Sequence, residues 1–147
     1  MAESGSEIQG SLVPMGQREA MFLLEAGYLW MDMGQFEKAK EVLTGTAALM
    51  PKSEVVQIAL GTLEFAQGRY EKSLQLYRQA QRLAPRSGLP RAHAGEVLLF
   101  MGKVPEAMKE LQAAIDVEPE GDGAKLAQAL MEAKEAGALP PKGLTRK

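Results

Sequence analysis

One histidine, His93, and no cysteine are found in the chain, so the side chains that most often attack a carbonyl or hold a transition metal are almost wholly missing. A catalytic triad needs an imidazole beside a nucleophile, and a zinc site needs three or four nitrogen or sulfur donors. A single imidazole without thiols completes neither. In its context, "PRAHAGEVLLF" from Pro90, His93 reads as a structural or groove residue. Carboxylates are plentiful, but Glu118, Glu120 and Asp122 gather around Pro119, where a turn meets the start of a helical pattern. There they serve capping and solvation. No glycine-rich loop of the P-loop or dinucleotide type is present. The chemistry that remains is binding through apolar side chains, with no enzyme activity, cofactor or metal expected.

The glycines have another role, because they recur at a fixed interval. "MDMGQFEKAKEVL" from Met31, "AQGRYEKSLQLY" from Ala66 and "FMGKVPEAMKEL" from Phe100 set Gly34, Gly68 and Gly102 34 residues apart. The same interval links Gly27, Gly61 and Gly95, and it links Pro51, Pro85 and Pro119. A glycine inside a helix costs roughly 1 kcal/mol against alanine, so the central glycine of each unit predicts a break between two helices. Apolar residues follow a helical period on both sides of it, and the proline ends the second helix. Each unit is therefore a helix, a tight turn and a second helix.

Small residues predict where these helices touch. Gly27, Gly61 and Gly95 let the partner helix approach, and Ala39, Ser73 and Ala107 take the matching place in the second helix. Ala26, Leu60, Ala94, Leu43, Tyr77 and Leu111 are expected in the core, with Thr46, Ala80 and Ala114 as small contacts between repeats. One hairpin cannot bury its own apolar face, so three must stack. After Pro119 a further helix is expected over 122–137, with Leu126, Ala129, Leu130 and Ala133 on one face, Asp122 as its N-cap and Gly137 as its stop. It caps the open end of the stack. The division is thus a Gly- and Ser-rich segment over 1–17, a repeat domain over 18–137 and a tail over 138–147, the two ends expected to be flexible.

Composition narrows the setting. With 46% hydrophobic and 24% charged residues the chain is globular, and a net charge of −2 leaves no basic stripe for nucleic acid. No apolar run approaches the roughly 20 residues of a membrane span, and the first residues have neither the basic start nor the apolar stretch of a signal peptide. A soluble cytoplasmic protein is expected.

Residues 20–53, 54–87 and 88–121 resemble tetratricopeptide repeats, whose 34-residue signature places Gly, Ala and Pro at these offsets. The resemblance implies an all-α fold of three helix-turn-helix repeats in a right-handed superhelix, closed by the C-terminal capping helix. Departures are visible. The aromatic usual near the start of each repeat is replaced by Leu23, Gln57 and Arg91, and the tyrosine usual late in the first helix by Trp30, Glu64 and Leu98. Glu64 either pairs with Arg91 of the next repeat or reaches solvent.

The repeat register also implies a concave groove lined by the first helices. Its positions are Met21, Leu24, Tyr28 and Met31, then Val55, Ile58, Thr62 and Phe65, then Leu89, Ala92, Glu96 and Leu99. All but Thr62 and Glu96 are apolar or aromatic, which favours a hydrophobic site for an extended or helical segment of a partner protein. The same pattern would also arise from a register displaced by one residue, with some of these side chains in the core, or from a groove filled by the chain's own tail or a second copy. Co-chaperones of this family that clasp acidic tails use Lys, Asn and Arg here, whereas this chain has Leu24, Tyr28, Ala59, Leu89 and His93. That cationic clamp is absent.

The third repeat, "LPRAHAGEVLLFMGKVPEAMKEL", resembles the last repeat of the chaperones that hold hydrophobic translocators in bacterial type III secretion, through Pro90-Arg91, Leu98-Leu99 and the run from Gly102 to Ala107. The likeness implies a chaperone receiving a translocator segment. Members of that group begin with a helical segment used in dimer contacts, which the glycines and serines of 1–17 do not promise. The alternative is a structural scaffold subunit of a larger or homo-oligomeric assembly.

Overall fold

A computed structural model describes residues 16–142, and every element among them is helical. The helices are α1 (Gln17–Asp32), α2 (Phe36–Leu49), α3 (Glu54–Ala66), α4 (Tyr70–Leu83), α5 (Leu89–Phe100), α6 (Val104–Val117) and α7 (Asp122–Glu135). They pair as α1 with α2, α3 with α4 and α5 with α6, and each pair leans on the first helix of the next. Of the segments expected at the ends, residues 1–15 and 143–147 lie outside the described residues, and α1 already begins at Gln17.

The turn inside each pair rests on a conformation that only glycine adopts without strain. Gly34, Gly68 and Gly102 have φ of +73°, +75° and +77°, and Gly137 ends α7 in the same way at +78°. A Cβ there would crowd the neighbouring carbonyl, so the repeating glycine is a helix stop.

The helix crossing is equally periodic. A Cβ placed on Gly27, Gly61 or Gly95 would come within 2.6, 2.6 and 2.5 Å of Leu43, Tyr77 and Leu111 respectively. The partner side chain occupies the space the glycine leaves, and all three partners are buried. In the middle pair the contact is reinforced, since the Ser73 hydroxyl donates to the Gly61 carbonyl at 2.7 Å. Gly61→Val should therefore lower stability by about 3 kcal/mol, the upper end of ordinary overpacking, because the ring of Tyr77 is enclosed on all sides. Thermal denaturation of the variant tests it, and an unchanged midpoint would contradict the crossing.

Most core expectations hold, with two exceptions. Ala26 and Leu60 are only half-buried, while Leu43, Tyr77, Ala94 and Leu111 are sealed. Along α7 the buried face is Gly123, Ala124, Ala127 and Leu130, with Leu126 and Ala133 half-buried and Ala129 exposed. Asp122 is not the N-cap: Gly121 holds that place and Asp122 is the first helical residue, where its charge still meets the positive end of the helix.

The pairing of Glu64 also differs from expectation. Its carboxylate is buried and lies 3.3 Å from Arg69 and 3.7 Å from Lys72, both near the start of α4. Arg91 turns instead to Glu110 of α6 at 3.6 Å, and Arg78 of α4 reaches the other oxygen of Glu110 at 2.7 Å. Glu64 finds its cations across the tight turn of its own repeat, so it neither pairs with Arg91 nor reaches solvent.

Candidate functional site

The twelve residues expected along the groove divide by burial. Leu24, Met31, Ile58, Ala92 and Leu99 are buried, Thr62, Phe65, Leu89 and Glu96 are half-buried, and only Met21, Tyr28 and Val55 are exposed. The first helices lie side by side, and the buried five turn toward the repeat that follows them. Leu24 and Met31 cluster with Val56, Ala59 and Leu63 of α3, while Ile58 clusters with Ala94 and Val97 of α5. Ala92 and Leu99 meet Ala127 and Leu130 of α7. These five are core side chains, as a displaced register would make part of the set.

What stays accessible forms two rows, Met21–Val55–Leu89 and Tyr28–Thr62–Glu96, each taking one residue from each repeat. The first row is apolar, and its Met21 and Val55 border a cavity of about 670 Å³ between the start of α1, the end of α2 and the start of α3. Met21, Leu24 and Val55 line it together with Leu49, Met50 and Pro51. Gln17, Lys52, Ser53 and Glu54 also belong to the wall, so a mainly apolar lining with a polar rim suits a few side chains of a partner. Sequence reasoning missed the contribution of α2, although the apolar pair Leu49–Met50 beside Pro51 was a signal that the repeat end is not plain solvent-facing turn.

The second row is polar and rests on Tyr77. Thr62 donates to the Ile58 carbonyl at 3.0 Å, which leaves its oxygen to accept from the Tyr77 hydroxyl at 3.0 Å. Desolvation around its hydroxyl raises the Tyr28 phenol above its ordinary pKa although the residue as a whole is exposed, with a hydrogen bond to Thr62 acting in the opposite sense, and burial raises Tyr77. Burial also lifts the Glu96 carboxyl above the usual range. At the other end of α3, Phe65 is held edge-on against Phe100 with centroids 4.8 Å apart and packs on Tyr70 at 5.5 Å. That contact braces α3 against α5.

His93 stacks on the Tyr77 ring, with centroids 5.0 Å apart and planes inclined by 16°. Its Nδ1 is buried without a hydrogen-bond partner, and burial lowers its pKa from 6.5 to about 4. The neutral ring is part of the packing. Because the unfolded chain binds the proton more tightly, stability due to neutral His93 is complete above pH 6.5 and is lost as pH falls toward 4, an effect of about 3 kcal/mol. The raised pKa of Glu96 acts in the opposite sense, since protonation relieves its burial. Denaturant titrations of the parent and of His93→Phe at pH 7 and pH 4.5 separate the two: the variant should lose less stability on acidification. Equal losses would remove His93 as the acid-sensitive group. Among the described residues no three His, Asp or Glu side chains converge as a metal site.

The tetratricopeptide repeat description fits residues 30–95 and 64–133, which together span most of the chain. The chain belongs to the tetratricopeptide repeat family. Among curated proteins, this tetratricopeptide repeat chain is 32% identical over 87 residues to the human protein O-mannosyl-transferase TMTC1, covering 59% of this chain and 10% of the relative. It thus spans about a tenth of that relative's length. Among solved structures, the Yersinia enterocolitica type III secretion chaperone SycD in complex with a peptide of the translocator YopD is similar with a TM-score of 0.67 and 19% identity, over 83% of this chain and 96% of that one. The second tetratricopeptide domain of human RPAP3, in complex with an HSP70 peptide, is similar with a TM-score of 0.62 and 20% identity, over 77% and 94% of the two chains. At such identities the likeness is one of fold.

Proposed function

We propose that this tetratricopeptide repeat protein is a protein-interaction module that receives an extended or helical segment of a partner along the accessible rows of α1, α3 and α5. The observation that carries the reading is the mainly apolar cavity of about 670 Å³ bordered by exposed Met21 and Val55. Apolar side chains of a partner would enter there, and the hydroxyls of Tyr28 and Thr62 with the Glu96 carboxylate would meet polar groups of the same segment. Peptide complexes of SycD and RPAP3 support the general mode. The most specific form of the reading is a cytoplasmic chaperone for a hydrophobic translocator segment, supported by the third-repeat likeness and by the lack of a cationic clamp.

The test is partner capture from the native cell by the parent chain and by Met21→Glu with Val55→Glu. Both side chains are exposed, so the variant should keep its melting temperature to within a few degrees while losing the specific partner. Capture unchanged in a folded variant would move the site elsewhere. Recovery of a translocator among the lost partners would select the chaperone form.

A further inference from the structure

Of the twelve positions expected along the groove only Glu96 is charged, and it closes the accessible row that begins at Tyr28 and passes through Thr62. A half-buried carboxylate accepts hydrogen bonds and offers none, so its lost hydration must be replaced by donors. The neighbouring hydroxyls do not supply them. Thr62 uses its only hydrogen on the Ile58 carbonyl, and Tyr77, whose pKa the nearby Glu96 charge helps to raise, uses its own on Thr62.

No cation of the fold answers the charge either. Desolvation alone displaces the Glu96 carboxyl, with no ion pair and no hydrogen bond to counter it among the described residues. The three first helices carry two cationic side chains, Arg18 at the exposed start of α1 and Arg91, which is held by Glu110 of α6. His93, the other basic group of α5, is stacked on Tyr77 and neutral. Glu96 is thus an unanswered negative charge on a wall that is otherwise apolar or hydroxylic. Its complement is a group that is positively charged and only donates. An ammonium offers three N–H donors, a guanidinium five, and neither accepts. A neutral amide or hydroxyl would meet the acceptors and leave the charge.

We propose that the segment received by the groove carries a lysine or arginine that pairs with Glu96, while an apolar side chain of the same segment enters the cavity beside Met21 and Val55. This rests on the groove reading and adds the chemistry that the groove selects. Acidic segments are rejected, because a second carboxylate would face Glu96.

Random peptides displayed on phage and selected on the immobilised full chain at low salt test it. Those that fail to bind Met21→Glu with Val55→Glu are groove peptides, and they should share a lysine or arginine. Glu96→Gln should weaken a synthetic peptide of that sequence by roughly tenfold to a hundredfold, the range of a hydrogen bond to a charged group. The melting temperature of the variant should equal or exceed that of the parent, because an unpaired charge has been removed. Glu96→Lys should refuse the same peptide and bind the counterpart in which glutamate replaces the basic residue. A selection that yields no peptide dependent on Met21 and Val55, as when the chain's own tail or a second copy fills the groove, overturns the groove reading and this proposal with it. Groove peptides that lack a shared basic residue, or whose affinity Glu96→Gln leaves unchanged, overturn the proposal alone. So does a Glu96→Gln variant less stable than the parent, since the fold itself would then be satisfying the carboxylate.

Discussion

Leu24→Glu combined with Ile58→Glu should unfold the first two repeats. Leu24 is 7% exposed and Ile58 4%, each inside an apolar cluster that joins its repeat to the next. Ile58 is packed among Tyr77, Ala80, Ala94 and Val97, and Leu24 packs on Val56, Ala59 and Leu63 although it also borders the cavity that Lys52 lines. A carboxylate introduced at either place loses most of its hydration, and the packing of the original side chain is lost as well. Each change is expected to lower stability by about 3–5 kcal/mol, and the sum is comparable with the whole stability of a domain this size. The measurement is the far-ultraviolet circular dichroism melt at pH 7, in which the variant should lack a cooperative transition near that of the parent. Lowering the pH toward 4 should return part of the helicity by neutralising the new carboxyls. A parent-like melt at pH 7 would place both side chains on an accessible groove wall after all. The contrast with Met21→Glu and Val55→Glu makes the experiment sharp, since all four changes lie on α1 and α3 and only burial separates the pairs.

The second large effect is expected at Gly123. A Cβ there would lie 2.2 Å from the Gly88 carbonyl carbon and 2.3 Å from the Leu89 nitrogen, so the obstacle is backbone and no rotamer change can relieve it. Gly123→Val must therefore push α7 away from the start of α5. That motion opens the cluster in which Ala127 and Leu130 cover Ala92, Leu99, Leu111 and Ala114. The expected loss is about 3 kcal/mol or more, roughly 10 °C in melting temperature for a chain of this length. Amide hydrogen exchange should show α7 losing protection before the other helices, because the substitution acts on docking rather than on the helix itself. Uniform protection with an unchanged midpoint would contradict the close approach of the two backbones.

These two sites mark where reasoning from the chain alone succeeds and where it stops. Gly27, Gly61 and Gly95 are legible as helix crossings because they recur at one interval, and a periodic fold repeats its contacts. Gly123 belongs to the cap, which has no second copy to be compared with, and its role emerges only when α5 and α7 are seen to touch. Glu64 illustrates a related limit. Its column signals an unusual buried polar group, but its partners are chosen by where the chain turns at Gly68, which brings Arg69 and Lys72 within reach and leaves Arg91 to Glu110.

By itself the sequence determined the helical repeat, its turns and its helix crossings, because glycine at positive φ, proline after a helix and small residues at crossings are local requirements that recur every 34 residues. Only the tertiary structure decided which apolar residues of the first helices are surface. Leu24 and Met21 share a helix and a chemical class, and both line the cavity, yet Leu24 is buried against α3 while Met21 is exposed, and that outcome depends on the angle at which successive repeats pack. The same physics sets Phe22 and Leu29 apart from Val56 and Leu63: equivalent in the repeat, they differ in exposure because burial is conferred by the preceding helix pair, which the first repeat does not have among the described residues.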